Sequence, residues 1–553
     1  MSTIEMDRVE TPRKTRPYGL IAAGVVVLAT VLVTGLAALN GDVTYALGGI
    51  ETAGAGGVSI WDVFIARPVA YRLLIGALGH TGDAPSWIAD RVVRAEADVL
   101  IVAVAALLFL GLRRHLDRRA AAGIAFTVGF ALIVSPPWHF LEPDWVAALA
   151  AVAAVGAALA PRRLWLGVLL GGLGTVLVVA VKLATAPIAL LALIAIALFS
   201  LRRALWVAGA AAVLAVLWYA TTKHFLPWEW LWLRDQADLV DDSPIHHGLR
   251  RVDFHWLRYG LGDTTILSPI VATAPAAFAA LIQRQAGARL RWLGAGIAVV
   301  ATGLSLASAY GQGEFFMYHY AVVPVLAAAV WAGAFALSPA ARVPLLAATL
   351  VPAAASFLLL RQDAEWRHDH VGLVAGSYLL AAAIAAVAVW TVTARSVPWP
   401  AGAVVLSVVL LPPVLLGAPL SFSMYNYQSP VARPANAPYE ALSDRIGHDT
   451  PVLYLAFGSV NYGIGNPTAC RYPSPQWLQR GTLFARVREY RSYDDNLRCL
   501  TEDRTARYLI VQPTWFNLAK APAEVQGLID GRFDCSDEAR VEAPANLIVC
   551  PAR

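Results

Sequence analysis

The sequence predicts a mainly α polytopic membrane protein of about 13 transmembrane helices, followed by a small extracytoplasmic α/β domain. Three observations carry this reading. Of 553 residues, 58% are hydrophobic and only 15% charged, with mean hydropathy +0.58; soluble domains run at about a quarter charged residues. Apolar runs long enough to cross a bilayer follow one another along most of the chain. All four cysteines fall in the C-terminal segment. The composition excludes a cytosolic enzyme, a disordered chain and a fibre. The net charge of +5 and pI near 9.0 do not indicate nucleic acid, because the basic residues lie between apolar runs and form no patch.

A bilayer core of roughly 30 Å needs about 20 apolar helical residues. Gly19–Asn40 supplies the first span after a basic leader, Arg8, Arg13, Lys14 and Arg16. It is too long for the apolar stretch of a cleaved signal peptide. Further spans are expected over 96–112, 120–137, 145–161, 164–181, 184–201, 204–221, 264–283, 292–310, 321–338, 344–360, 372–393 and 401–418. The stretch 164–201 is the least certain in count, because Lys182 interrupts a run too long for one span and barely long enough for two. Short loops with Arg113, Arg114, Arg118, Arg119, then Arg162, Arg163, then Arg202, Arg203, then Arg284, Arg289, Arg291, then Arg342 and Arg395 alternate with longer loops rich in Trp, Pro, His and acids. The excess of basic residues on the cytoplasmic side puts the N-terminus inside, the C-terminus outside and the protein in the plasma membrane. The chain divides into a multi-span part, 1–418, with a long first outer loop, 41–95, and an extracytoplasmic part, 419–553.

That last part balances 14 basic against 14 acidic residues and has strand-like runs at Pro451–Phe457 and Tyr508–Gln512. An even cysteine count outside the cytoplasm favours disulfides. Three pairings are open, and the local one, Cys470–Cys499 with Cys535–Cys550, is preferred over a zinc site, since no C-x-x-C pair is present. Arg outnumbers Lys 39 to 4, which with the many alanines suggests a GC-rich, actinobacterial source.

Four outer regions carry candidate chemistry. The first outer loop opens Asn40-Gly-Asp42-Val-Thr-Tyr45, and its later part, with Asp62, Arg67 and Arg72 broken by Pro68, reads as two short helices lying in the membrane interface. An acid after an apolar helix is either a solvated helix end or a base whose pKa partial desolvation raises. His139, Glu142 and Asp144 lie within seven residues between two spans, where ionisable groups are costly unless they line a polar cavity or hold a cation; the plainer alternative is that Asp144 caps a helix and Trp145 belongs to the interface belt. Lys182 is either a snorkelling lysine or a point charge for a phosphate. Gln312, Glu314, Tyr318 and His319 enter a span together, with a buried packing histidine as the alternative. Loop 222–263 adds Glu229, Asp235, Asp238, Asp241, Asp242, His246, His247, Arg250 and Arg251. No P-loop, dinucleotide loop, H-E-x-x-H or G-x-S-x-G is present, which argues against nucleotide hydrolysis and proteolysis.

An acid just after the first span, interfacial helices in the first outer loop, acids in the second and a trailing outer domain together resemble the GT-C superfamily of integral-membrane glycosyltransferases. Gln312…Tyr318-His319 and Asn466-Pro-Thr-Ala-Cys-Arg471-Tyr472-Pro473 resemble segments of bacterial members; taken with the suggested actinobacterial source, the resemblance points to arabinofuranosyl- and mannosyltransferases. The resemblance implies inverting transfer of a sugar from a polyprenyl-phosphate donor to an envelope glycan or lipid on the outer face. It assigns the base to Asp42, with Asp62 in reserve, and acceptor or divalent-cation positioning to His139, Glu142 and Asp144. Donor phosphate and sugar fall to Arg67, Arg72, Lys182, Arg250, Arg251, Gln312, Tyr318 and His319. The cosubstrate is the lipid-phosphate sugar; a resident cofactor is not implied beyond a candidate divalent cation, and the chain is read as a monomer that binds no nucleic acid. Where many relatives carry two adjacent acids, this chain has Gly41-Asp42-Val43. A transporter or flippase of lipid-linked glycans is the competing reading, weakened because the ionisable residues sit at the outer ends of the spans rather than at the midplane.

Overall fold

A computed structural model describes residues 17–79, 86–241, 251–313, 315–392, 397–410 and 437–553. Arg8, Arg13, Lys14, Arg16, Asp242, His246, His247, Arg250, Glu314 and Arg395 lie outside the described residues, and no side chain is described for Asp241 or Arg251.

Helix α1 (Pro17–Gly35) is followed by α2 (Gly41–Ala55), α3 (Val69–Leu78), α4 (Ser86–Leu112), α5 (Arg118–Ile133), α6 (Pro143–Leu159), α7 (Leu164–Val181), α8 (Ala186–Phe199) and α9 (Leu201–Phe225). Next come α10 (Pro227–Asp241), α11 (Arg251–Leu267), α12 (Ala274–Gln283), α13 (Ala288–Tyr310), α14 (Val322–Leu337), α15 (Arg342–Leu360), α16 (Ala364–Asp369), α17 (Val371–Thr391) and α18 (Trp399–Leu410). Each expected span meets one of these helices. Among the described residues, seven helices are long and apolar enough to cross a membrane, or eight if α11 and α12, bent by 102°, form one broken span. The expected count of thirteen therefore also draws on helices below that length, among them α1, α6 and α8. On α9, Leu205, Trp206, Val213 and Val216 stand 59–66% exposed, an apolar face that only lipid would cover.

Small residues set the helix contacts, as expected where lipid offers no hydrophobic drive for association. A Cβ on Gly156 of α6 would meet the Leu108 backbone nitrogen of α4 at 2.8 Å, and one on Gly171 of α7 would meet the Ala158 Cβ of α6 at the same distance. At Lys182 the backbone turns extended (φ −164°, ψ 125°) and splits 164–199 into α7 and α8, so this stretch is two helices.

Two expectations are corrected. Helix α4 begins about ten residues before the expected 96, because its charged first turns are satisfied by distant parts of the chain. Arg94 Nε donates to the Ala37 carbonyl at 2.7 Å, and Tyr462 donates to Asp90 at 3.1 Å. The first outer loop also has one helix where two were expected around Pro68. Its other helix is the earlier α2, started by Asn40, whose side chain accepts from the Asp42 and Val43 amides at 2.8 and 3.0 Å.

The C-terminal part contains α19 (Ala437–Ile446), β1 (Val452–Leu455), α20 (Gly458–Ile464), α21 (Gln476–Gly481), α22 (Arg491–Glu502), β2 (Tyr508–Val511), α23 (Ala523–Arg532) and β3 (Ile548–Pro551). The sheet order is β1-β2-β3, with β1 and β2 parallel (Val452 opposite Tyr508) and β2 and β3 antiparallel (Leu509 opposite Cys550). Disulfides join Cys470 to Cys499 and Cys535 to Cys550. This part is interlocked with the first outer loop. A Cβ on Gly48 of α2 would lie 2.4 Å from the Tyr462 nitrogen of α20, and one on Gly458 would lie 2.7 Å from the Tyr45 carbonyl oxygen. Only glycine at both positions permits this crossing of backbones.

Candidate functional site

Two unusual backbone positions shape the site. Ala66 and Leu141 are the non-glycine residues with positive φ among those described, 54° and 63°, a conformation that costs on the order of 1–3 kcal/mol and is kept where its surroundings over-determine it. Each immediately precedes a charged residue, Arg67 and Glu142. The Tyr71 hydroxyl donates to the Leu141 carbonyl at 2.9 Å. Burial, with the charge of Glu142 added, raises the Tyr71 pKa well above the phenol range, so the hydroxyl keeps its proton. The Arg67 bend is held by Arg72, whose guanidinium donates to the carbonyls of Ile60, Trp61 and Arg67 at 3.2–3.3 Å and to Glu229 Oε2 at 2.9 Å. Glu229 in turn accepts from the Val69 amide at 2.7 Å and from Trp232 Nε1 at 3.1 Å. Arg72 is thus fully buried and committed to protein groups. It holds the loop that carries Arg67 and presents nothing to a ligand.

Arg67 reaches Asp42 Oδ2 at 3.1 Å and Glu142 Oε2 at 3.9 Å. Burial opposes the guanidinium charge, but Asp42, Tyr318 and Glu142 outweigh it and raise the pKa. Asp42 sits in the first turn of α2, where the helix dipole favours an anion. Its side chain is 32% exposed, and among the described residues Oδ1 accepts nothing. Glu142 is fully buried, and neither oxygen closes a hydrogen bond. Burial, reinforced by the charge of Asp42, pushes its pKa up to about 8 against the opposing pull of Arg67, the Asn40 amide and Lys182.

Beside this triad lies a second group. The fully buried Asp144 accepts from Lys182 Nζ at 3.0 Å, from Gln312 Nε2 at 2.9 Å and from Ser308 Oγ at 3.2 Å. Lys182 Nζ lies 5.7 Å from the centroid of the Tyr318 ring, and Tyr318 also acts electrostatically on Arg67. Tyr318 therefore stands near both groups. His319 is buried and packs edge-on to Tyr318, ring centroids 4.6 Å apart. His139 is buried among apolar neighbours, which push its imidazole down to about 3, so it stays neutral.

Asp42, Arg67, Glu142, Asp144, Lys182, Gln312 and Tyr318 thus come together from positions spread over 42–318. Asp62 does not join them: it is turned to Arg471 at 3.0 Å. Asn40, which starts α2 beneath Asp42, and Ser308 were missed in the sequence. The N-cap preference of asparagine before an apolar-periodic run could have shown the first; nothing local marks the second. Among the described residues no three His, Cys, Asp or Glu side chains group as a cation site. Asp42 and Asp144 each hold a basic side chain, Arg67 and Lys182.

The buried Glu142 makes stability depend on pH. An acid whose folded pKa lies above its unfolded value costs stability increasingly as pH rises through the unfolded pKa, up to the folded one at about 8. Glu142→Gln removes this cost. The thermal midpoint of Glu142→Gln in detergent is expected to exceed that of the parent by a gap that widens from acid to neutral pH and levels off above about 8. A gap independent of pH would show that Glu142 titrates normally.

No protein-family model matches the chain, and no curated protein does. Among solved structures, ArnT from Cupriavidus metallidurans aligns in the apo state with TM-score 0.52 at 15% identity, and in the state bound to undecaprenyl phosphate with TM-score 0.55 at 16% identity. Both alignments cover 97% of this chain and 98% of ArnT. The chain shares the fold of ArnT. The likeness runs end to end, so the multi-span part, the first outer loop and the C-terminal sheet all belong to one ArnT-like architecture.

Proposed function

We propose that this chain is a GT-C-type membrane glycosyltransferase that moves a hexosyl or pentosyl unit from a polyprenyl-phosphate donor to a glycan or lipid acceptor on the outer face of the plasma membrane, with inversion. The observation that carries the reading is the juxtaposition of a partly open carboxylate, Asp42, with two cations, Arg67 and Lys182, at the ends of apolar helices. A lipid-linked donor requires that combination. The ArnT structure with undecaprenyl phosphate supports a lipid-phosphate ligand for this fold. The expected outward placement of the C-terminal part agrees with its two disulfides.

In the reaction, the acceptor hydroxyl gives its proton to Asp42 as its oxygen attacks the anomeric carbon. The bond from that carbon to the phosphate oxygen breaks, and the electron pair leaves with the polyprenyl phosphate. Arg67 and Lys182 stabilise the charge that develops on the phosphate. A phosphate departs readily, so a second carboxyl is not needed as acid. Glu142, neutral below about 8, limits the negative charge around Arg67. Asp144, itself held by Gln312 and Ser308, fixes Lys182 at the break between α7 and α8.

The test is transfer by the purified chain in detergent, offered radiolabelled decaprenyl-phosphate arabinose and polyprenyl-phosphate mannose separately, with arabinan, mannan and lipid acceptors. Product from one donor establishes the reaction and names the sugar. Saturable donor binding without product from any combination would overturn the reading in favour of a lipid-glycan transporter.

A further inference from the structure

Outside the site, a cleft of about 550 Å³ opens in the C-terminal part along α22 and the Cys470–Cys499 disulfide, lined by Arg471, Asp495, Arg498, Glu502, Asp503 and Arg504 among others. Its volume lies in the roughly 300–1,000 Å³ range of small-ligand sites. Arg471 and Asp495 are paired at 3.3 Å. Arg498 and Arg504 are exposed and form no ion pair among the described residues. Asp503 is buried, 9% exposed. Its Oδ1 accepts from the Thr505 amide at 2.8 Å and hydroxyl at 2.7 Å, whereas its buried Oδ2 accepts from no group. Leaving such an oxygen unmatched is costly, and Asp503 lines the wall of the cleft, where a donor from a bound molecule would relieve that cost.

The lining combines three guanidinium donors with three carboxylate acceptors, of which Arg498, Arg504 and Glu502 form no ion pair among the described residues, and offers no net charge to an anion. Hydroxyl groups both donate and accept and suit such a lining, while the negative charge of phosphate would meet Glu502 and Asp503 with repulsion. We propose that this cleft binds a hydroxyl-rich glycan chain. On the glycosyl-transfer reading, this is the non-reacting part of the acceptor. The cleft is also joined to the site. Arg471 donates to Asp62 at 3.0 Å, and the rings of Trp228 lie under both Arg471 and Arg72, at 4.9 and 5.0 Å. Arg72 holds the loop that carries Arg67. A glycan seated against Arg471 therefore lies along the same loop that positions the donor-side cation.

Isothermal titration of the full chain in detergent, with no donor present, tests this using arabinopentaose and mannopentaose as probes and inorganic phosphate as the anion control. Saturable binding of at least one oligosaccharide is expected. It should be weakened about tenfold or more both in Arg498→Ala/Arg504→Ala and in Asp503→Asn, which keeps the Oδ1 acceptor and turns the other position into a donor. Absence of oligosaccharide binding, equal binding by the variants, or binding of phosphate alone would overturn the assignment. Because the donor is absent, a failure of sugar transfer leaves this result standing, and a failure here leaves the transfer reaction standing.

Discussion

Asp42→Asn is expected to lower the rate of sugar transfer by about 10²–10⁴-fold, the range lost when a positioned base is removed, while binding of undecaprenyl phosphate changes by no more than about threefold. The asparagine keeps the shape of the side chain, and its amide oxygen can still accept from Arg67, now 3.1 Å from Asp42. What it loses is the capacity to take a proton from the acceptor hydroxyl. Two measurements separate these effects: the transfer rate from a radiolabelled lipid-linked donor, and the equilibrium binding of the lipid phosphate. Loss of both would make Asp42 an anchor for Arg67 rather than the base. Retention of both would sink the proton-transfer role and return attention to Asp62, although that carboxylate is engaged by Arg471.

The contrast between Asp42 and Asp62 shows what could be read in the chain before its fold. Asp42 was legible because a single acid directly after an apolar run is costly to no purpose unless it is solvated or used. Glu142, Asp144 and Lys182 were legible for the same reason, each being an ionisable residue against apolar helices. Their grouping was not. Lys182 meets Asp144 across 38 positions, and Gln312 meets the same carboxylate across 168. Periodicity and composition report local structure only. The roles of the arginines were the least legible. Arg67 and Arg72 stand five residues apart in one loop and look alike in sequence, yet Arg67 faces the acids of the site and Arg72 is sealed against Glu229. Glu229 itself was one acid among many in its loop. A run of apolar residues needs no partner to be recognised, whereas helix α2 was missed because Gly48, Gly49 and Gly54 interrupt its apolar pattern and the crossing of α20 at Gly48 shows only in the fold.

Arg72→Met should be the most destabilising of these substitutions, by about 3–5 kcal/mol, the cost of leaving one member of a buried ion pair behind. Glu229 would keep the Val69 amide and the Trp232 indole as donors but lose the guanidinium at 2.9 Å, and its charge would remain in an apolar setting among Trp228 and Trp232. The carbonyls of Ile60, Trp61 and Arg67 would lose their donor together, so the bend at Ala66 would no longer be over-determined and Arg67 would drift from Asp42. Stability and transfer are therefore expected to fall in the same variant, although Arg72 touches no substrate. Thermal unfolding in detergent reads the first effect. The second variant, Arg72→Met/Glu229→Leu, tells a buried charge from lost packing. Removing both charges should recover part of the lost thermal midpoint, because no carboxylate is then left unpaired, although the Val69 amide and the Trp232 indole lose their acceptor. It should restore little of the activity, because the loop carbonyls still lack their donor. Recovery of both would mean that Arg72 serves only to neutralise Glu229, and the coupling of the loop to the site would fail with it.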